Sequence, residues 1–394
     1  MANREVVVVS AVRTAIGGYG ASLKDVPPTQ LASLCVKESV ARAKIDPASV
    51  GHVVFGSVVF GEARDMYLSR VAALDGGLPH GTPCLTVNRL CGSGLQAVVS
   101  AAQHIMLGDC DVALAGGAES MSRAAYIMPA ARWGQRMGDA QVVDAMTAAL
   151  HDPFGHGHMG VTAENIAAKY GITREQQDAY ALESHQRAER ALDAGHFKSQ
   201  IVPVEIKSRK GTVLFDGDEH VRRGLKIEDL QKLKAVFKKD GTVTAGNASG
   251  INDAAASLVL MEAGQAQKQG AKPMARLVAY SHAGVDPQLM GLGPIPAVQR
   301  LFKISGLKPS DMDVIESNEA FAVQAMAVTR DLGLDPVKVN ANGGAVALGH
   351  PIGATGAILT VKALYELQRL QKRYALVTMC IGGGQGIAAI FERV

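Results

Sequence analysis

Asn88-Arg89-Leu90-Cys91-Gly92-Ser93-Gly94-Leu95-Gln96 is the stretch on which the reading of this chain turns. A short apolar run, Pro83 to Val87, precedes it, and a long helical pattern, Leu95 to Leu107, follows. The spacing predicts a strand, a tight glycine turn and a helix, with a cysteine at the handover. Such a cysteine sits among free backbone N–H groups at the positive end of a helix dipole. Both influences lower a thiol pKa, and the thiolate is the nucleophile. Gly92 and Gly94 leave room for a substrate to approach the backbone. A buried, inert cysteine is the commoner use of the residue, so the role of Cys91 depends on what the rest of the chain brings to it.

Working outward, the composition bounds the class. The chain has 394 residues, 47% of them hydrophobic, with 43 glycines and 5% aromatics. That is the profile of an α/β protein with many tight turns, in about two or three domains. A net charge of +3 is too weak to argue for a nucleic-acid partner. The five cysteines (Cys35, Cys84, Cys91, Cys110 and Cys380) are odd in number and contain no CxxC, so neither a disulfide framework nor a metal site is expected. A reducing cytoplasm fits best. No apolar run approaches the ~18 residues of a membrane span, Val6 to Val9 is too short for a signal-peptide core, and Phe391-Glu392-Arg393-Val394 is not a peroxisomal address.

Glu5 to Val12 reads as a buried strand, and Pro27-Pro28-Thr29 starts a helix through Ala43. Val53 to Phe60 reads as a second strand, Ser69 to Leu74 as helical, and Val112 to Ala115 as a strand closing on Gly116-Gly117-Ala118-Glu119-Ser120. Strands alternating with helices argue a parallel sheet covered on both faces. From Met121 to Asn247 the texture changes to an inserted, partly loop-like region. It contains a capping box at Thr173 and Gln176 opening a helix that stops at Gly195. Its Glu205–Asp240 part carries ten Lys/Arg against seven Asp/Glu. Those charges read as a solvated face, although a basic loop turned to a cleft would suit a phosphate-bearing ligand.

After Asn247 the first half repeats itself. Ile45-Asp46-Pro47 with Val53 to Ser57 parallels Leu307-Lys308-Pro309 with Val314 to Asn318. The Cys91 turn parallels His350-Pro351-Ile352-Gly353-Ala354-Thr355-Gly356, and Val112 to Ala115 parallels Ala375 to Met379. In a duplicated pair the two helix N-termini can face each other across a pseudo-twofold axis. That would join Cys91 and His350 across 259 positions.

Three further features converge there. Asn342-Gly343-Gly344 to Gly349-His350-Pro351-Ile352-Gly353 delivers one histidine from a glycine cradle. Cys380-Ile381-Gly382-Gly383-Gly384-Gln385-Gly386 puts a second cysteine at a strand end, before glycines whose N–H groups can point at an oxyanion. Asn318-Glu319-Ala320-Phe321 lies just past a strand end, the edge where ligands of such sheets bind. A nucleophilic Cys, a His, a second Cys and an oxyanion nest together spell acyl transfer with carbon-acid chemistry. A free thiol is only a few per cent thiolate at neutral pH, so the first Cys needs the His. The second can be a general base near its natural pKa.

These motifs, and nearly the whole chain, resemble the thiolase family, most closely its biosynthetic, acetoacetyl-CoA-type (β-ketothiolase) branch; His158-Met159-Gly160 favours that branch. The resemblance implies an α/β fold of two βαβαβαββ units in a five-layered α/β/α/β/α arrangement. The expected division is residues 1–121 plus 250–273 for the half carrying Cys91, 122–249 for a loop domain, and 274–394 for the half carrying Asn318, His350 and Cys380. It casts Cys91 as the acyl-carrying nucleophile, His350 as its activator and Cys380 as the acid/base that deprotonates acetyl-CoA. Asn318 would hold a water that, with His350, stabilises the enolate oxygen, and the N–H groups of Cys91 and Gly382 would form a second oxyanion hole. The implied coenzyme A contacts are Arg222, Ser249, His158, Met159, Leu150, Phe237, Ala245, Ala320 and Phe321. Coenzyme A thioesters are implied as substrates, with no tightly bound cofactor and no metal. A homo-oligomer (a dimer of dimers through the loop near Met121–Ala140) is implied too. Fatty-acid metabolism or polyhydroxyalkanoate precursor supply are the implied settings.

Other readings are weaker. Gly92-x-Gly94-x-x-Ala97 formally matches a dinucleotide fingerprint but lacks the acidic residue ending the next strand. His151, His156 and His158 have no convincing metal-ligand spacing. A silent acyl-CoA-binding scaffold would be expected to lose Cys91, His350 or Cys380, and a decarboxylating ketoacyl synthase would be expected to place a second His where Cys380 stands.

Overall fold

The structure is a computed structural model that describes residues 4–208 and 211–394. Val6–Thr14 is a strand buried at every position, as a run of four valines favours. Pro28–Ala43 is a helix with proline at its first turn and Lys44 in the left-handed conformation closing it. The Cys91 helix runs Ser93–Leu107 and ends at Gly108, where φ is +86°. The capping box at Thr173 and Gln176 forms and opens the Arg174–Asp193 helix. One boundary departs from the sequence reading. The strand expected over Val53 to Phe60 is His52–Gly56. It stops because the N–H groups of Val58 and Val59 go to the Glu119 carboxylate, each at 3.1 Å, instead of to a neighbouring strand.

The main sheet runs in the order Val314–Ser317, Tyr374–Ile381, Gln385–Arg393, Ala275–Gly284, Val6–Thr14, Asn252–Glu262, Val112–Ser120, His52–Gly56, Cys84–Val87. It is mixed, not parallel as the alternation of strands and helices suggested. Val314–Ser317 pairs parallel with Tyr374–Ile381, and His52–Gly56 pairs parallel with both Val112–Ser120 and Cys84–Val87. The contacts among the other strands of that path are antiparallel. The reason lies in how each half ends. Asn252–Glu262 returns after the inserted region to lie antiparallel on Val112–Ser120. Gln385–Arg393 returns after a three-glycine turn to lie antiparallel on Tyr374–Ile381. The duplication is therefore visible strand by strand, down to Val339, which bridges Ile315 in parallel where Cys84–Val87 stands in the other half. The halves join where Val7 and Val8 pair with Arg276 and Ala275.

Helices make the layers. Pro28–Ala43 and Leu68–Asp75 cover one outer face, and Pro294–Ser305 covers the other. Ser93–Leu107 and Ile352–Leu370 pack on each other between the two halves of the sheet. The result is five layers, with one large apolar core under the first half and around the inner helices and a second, smaller one beneath Pro294–Ser305. The two inner helices cross at glycine contact. A Cβ on Gly94 would lie 2.6 Å from the Ala357 nitrogen, and one on Gly356 would lie 2.2 Å from the Leu95 nitrogen. Only glycine allows that approach, and an alanine at Gly356 would push the helices apart at a cost of about 1–3 kcal/mol or more. This close crossing sets the Cys91 and His350 turns side by side.

The inserted region is fixed to the core by buried polar contacts. Arg13 and Asp218, both wholly buried, make a two-pronged pair at 2.7 and 2.8 Å, and Asp218 also accepts the Ile16 N–H at 2.8 Å. Glu164 accepts the N–H groups of Thr242 and Val243, each at 2.8 Å, and so holds the start of the segment that reaches Ser249. Removing one partner of the Arg13–Asp218 pair strands a buried charge, a loss of about 3–5 kcal/mol. Among the described residues, no helix is long and apolar enough to cross a membrane.

Candidate active site

A cavity of about 490 Å³ opens where the two inner helix N-termini meet the inserted region. Of the residues singled out from sequence, it gathers Cys91, His350, Cys380, Gly382, Leu150, His158, Met159, Arg222, Phe237, Ala245, Ser249, Ala320 and Phe321. Asn318 stands just behind them. Its side-chain nitrogen lies 3.4 Å from His350 Nε2, and its buried Oδ1 has no hydrogen-bond partner.

The Cys91 turn is tied to itself. Asn88 Oδ1 accepts the Leu90 N–H at 2.9 Å, and Ser93 Oγ accepts the Arg89 N–H at 2.9 Å while donating to the Leu90 carbonyl at 2.6 Å. These bonds hold Leu90 at φ +44° and aim Cys91 into the cavity. A Cβ on Gly92 would lie 2.5 Å from the Ile381 side-chain end, so the turn packs closely on the Cys380 strand.

His350 is fixed by two partners, Asn252 on its backbone and Thr355 on its ring. Its N–H donates to Asn252 Oδ1 at 2.9 Å, and Asn252 in turn donates to the Gly17 carbonyl at 2.9 Å. Gly349, at φ +105°, packs directly on Asn252, a position no side chain could take. Thr355 Oγ1 donates its one proton to the Pro351 carbonyl at 2.9 Å, so toward His350 Nδ1, 2.7 Å away, it accepts. The imidazole therefore carries its proton on Nδ1 and turns the Nε2 lone pair to Asn318 and the cavity.

The electrostatics correct part of the sequence reading. A helix-start thiol was expected to be acidified, yet burial pushes Cys91 up to about 11. The Gly382 N–H and the cysteine's own N–H pull the other way, while the Glu119 carboxylate adds to the rise. Cys380, expected near its natural value, is driven well above it, first by burial and then by the adjacent Cys91. Burial also lowers His350 to about 4. The resting site is thus thiol, imidazole and thiol, all neutral, because desolvation outweighs the few N–H groups that favour a thiolate.

The outer wall of the cavity is aromatic. His158 caps the Met159–Tyr170 helix by accepting the Gly160 N–H at 3.0 Å. Its ring stacks on Phe237 at 4.7 Å, and Phe237 meets Phe321 edge-on at 6.2 Å. Ser249 donates its N–H to the Ala320 carbonyl at 3.0 Å. Arg222 is the one cation of the described Glu205–Asp240 segment that lines the cavity; Arg209 and Lys210 of that count lie outside the described residues.

Several residues escaped the sequence reading. Asn252, Thr355 and Glu119 hold the His350 turn and its helix start without lining the cavity, Glu119 by accepting N–H groups from Val58, Val59 and, at 2.8 Å, Gly353. Tyr19, Leu90, Met121, His220 and Met290 line it. Thr355, Leu90 and Glu119 lie in stretches already quoted, Thr355 one helical turn beyond Pro351.

A cysteine aimed at a glycine N–H, a histidine of fixed tautomer, a second buried cysteine and an aromatic-walled cleft define an acyltransferase site. Comparison with known proteins names the family. The thiolase N-terminal domain model matches residues 6–264, and the thiolase C-terminal domain model matches residues 271–393. The chain is 67% identical to the β-ketothiolase BktB of Cupriavidus necator over 392 residues, covering 99% of this chain and 100% of that one. It is 50% identical to an acetyl-CoA acetyltransferase of Allochromatium vinosum, with both chains covered in full. Its fold superposes on human mitochondrial 3-ketoacyl-CoA thiolase in complex with CoA with a TM-score of 0.96, at 45% identity over 99% of this chain and 98% of that one. The chain belongs to the thiolase family.

Proposed function

We propose that the protein is an acetyl-CoA C-acyltransferase. It condenses acetyl-CoA with an acyl-CoA by a ping-pong Claisen route and, in reverse, thiolyses short-chain 3-ketoacyl-CoA. The observation that carries this reading is the convergence of Cys91, His350, Cys380 and Gly382 on one cavity from opposite halves of the duplicated fold.

The chemistry follows from the neutral resting site. Cys91 Sγ attacks the thioester carbonyl as His350 Nε2 takes its proton. The carbonyl oxygen becomes an oxyanion held by the N–H groups of Cys91 and Gly382. The C–S bond to coenzyme A breaks, and Cys380 protonates the departing thiolate. The enzyme is left as acyl-Cys91, imidazolium and Cys380 thiolate. Acetyl-CoA then binds, and the Cys380 thiolate removes a methyl proton. The enolate oxygen is stabilised by His350 Nε2–H and a water on Asn318. The carbanion attacks the acyl carbonyl, the Cys91–acyl bond breaks, and His350 returns its proton to Cys91. All three groups end neutral, as burial favours.

Arg222, Ser249, His158, Met159, Leu150, Phe237, Ala245, Ala320 and Phe321 are read as the coenzyme A wall. The human 3-ketoacyl-CoA thiolase, a close structural match, has been solved in complex with CoA, which supports this assignment. No tightly bound cofactor is needed for these steps. A dimer of dimers acting in the cytoplasm is the accompanying reading. It is supported by Trp133 and Met137, 87% and 91% exposed on the same loop as the exposed Tyr126 and Ile127.

The test is coenzyme A-dependent thiolysis of acetoacetyl-, 3-ketovaleryl- and 3-ketohexanoyl-CoA, followed by loss of the Mg²⁺–enolate absorbance. Turnover is expected. Binding of coenzyme A without turnover of any of them would make the protein a silent acyl-CoA-binding scaffold.

A further inference from the structure

Among the described residues, five that are not glycine have a positive φ: Lys44, Leu90, Asp240, Asn340 and Gln371. Lys44 and Gln371 end helices, Asp240 lies in a turn, and asparagine tolerates the conformation. Leu90 is different. It is bulky and apolar, it immediately precedes the nucleophile, and glycine would take its backbone shape without strain. A strained residue persists when its surroundings over-determine it and when something is gained by it. The surroundings are the Asn88 and Ser93 bonds to its N–H and carbonyl. What glycine could not supply is the side chain.

That side chain faces the cavity. A Cβ on Gly382 would lie 3.1 Å from Leu90 Cδ1 and 3.5 Å from the Met159 methyl, so Leu90 and Met159 roof the glycine whose N–H points at Cys91. With Cys91, Leu90 packs on the apolar cluster of Val58, Val59, Met121 and Ile352. An acyl group on Cys91 Sγ whose oxygen turns to Gly382 has its tail beside Leu90.

Resting on the acyltransferase reading, we propose that Leu90 is a specificity-determining residue of the acyl end of the cavity. Its side chain, held over Gly382 by a strained backbone, limits the length of the acyl group that Cys91 can carry. The test compares kcat/KM for thiolysis of acetoacetyl-CoA and 3-ketohexanoyl-CoA in the wild type and in Leu90→Ala, Leu90→Gly and Leu90→Phe. The ratio of the longer to the shorter substrate should rise by about tenfold in Leu90→Ala, as expected for freeing one or two methylene volumes. Leu90→Gly should shift it in the same direction, although its backbone is relaxed. Leu90→Phe, which adds volume and leaves no hole, should lower the ratio. Ratios within twofold of wild type in the folded variants would overturn the proposal, as would a Leu90→Gly enzyme that keeps the wild-type ratio. Wild-type protein that turns over neither substrate would instead overturn the acyltransferase reading on which this one rests.

Discussion

The two turns that build this site share a plan and differ in how they are held. Each breaks on glycine and opens an inner helix, Ser93–Leu107 after the strand Cys84–Val87 in one half and Ile352–Leu370 after the short helix Ala345–Leu348 in the other. The Cys91 turn is held by its own residues, Asn88 and Ser93. The His350 turn is held from outside it as well, by Asn252 of the first half and by Thr355 of its own helix. The difference suits the two chemistries. A thiol needs only to be aimed, whereas an imidazole must be aimed and given a tautomer, and the second task needs a partner on the far side of the ring.

The comparison can be broken in three places. The largest effect is at the thiol. Cys91→Ala should abolish both half-reactions, a fall of at least ~10⁴-fold in turnover, with exchange of labelled coenzyme A into acetyl-CoA as the readout. Surviving exchange would remove the nucleophile from the Cys91 turn. Next is Thr355→Val, which keeps the shape of Thr355 and removes the acceptor that fixes Nδ1–H. It should lower kcat by roughly 10- to 100-fold through the lost tautomer, with KM for coenzyme A little changed. An unaltered kcat would mean that the imidazole needs no such partner.

The smallest effect is on stability against pH. His350, His158, His185, His220 and His282 are each lowered from 6.5 to about 4 by burial. The unfolded chain therefore binds more protons than the folded one between those values, and stability should rise from pH 4 to 6.5. Cys91 and Cys110, raised from 9.0 to about 11, act in the opposite sense, and their contribution is lost as pH climbs from 9 toward 11. Glu119, raised by burial from 4.5 to about 8, also loses its contribution as pH climbs between those values, so thermal unfolding should show a maximum near pH 6.5 with a steep acid limb, a shallow decline to about pH 8 and a further fall beyond pH 9. A flat acid limb would mean that the histidines charge freely in the folded protein.

What sequence could and could not give follows the same division. That Cys91, His350 and Cys380 meet in one cavity was legible because each sits in a glycine-dense turn, and the repeat made two of those turns equivalent. The fold class was legible from the same repeat. The strand directions were not, since whether Asn252–Glu262 returns parallel or antiparallel depends on where the inserted region releases it. Asn252 and Glu119 escaped because each lies in an ordinary strand, and a buried amide or carboxylate shows its purpose only through its partners. The thiol pKa values were misjudged because the sequence shows a helix N-terminus and not the depth at which it is buried.

The central claim is that the two cysteines divide the labour, Cys91 carrying the acyl group and Cys380 moving the proton. Intact-mass spectrometry of Cys380→Ser after incubation with acetyl-CoA tests it most directly. Acetylated protein with the label on the Cys91 peptide, in an enzyme unable to condense, is the predicted result. Condensation at the wild-type rate, or no acetylation of Cys91 in a folded variant that still binds coenzyme A, would contradict it.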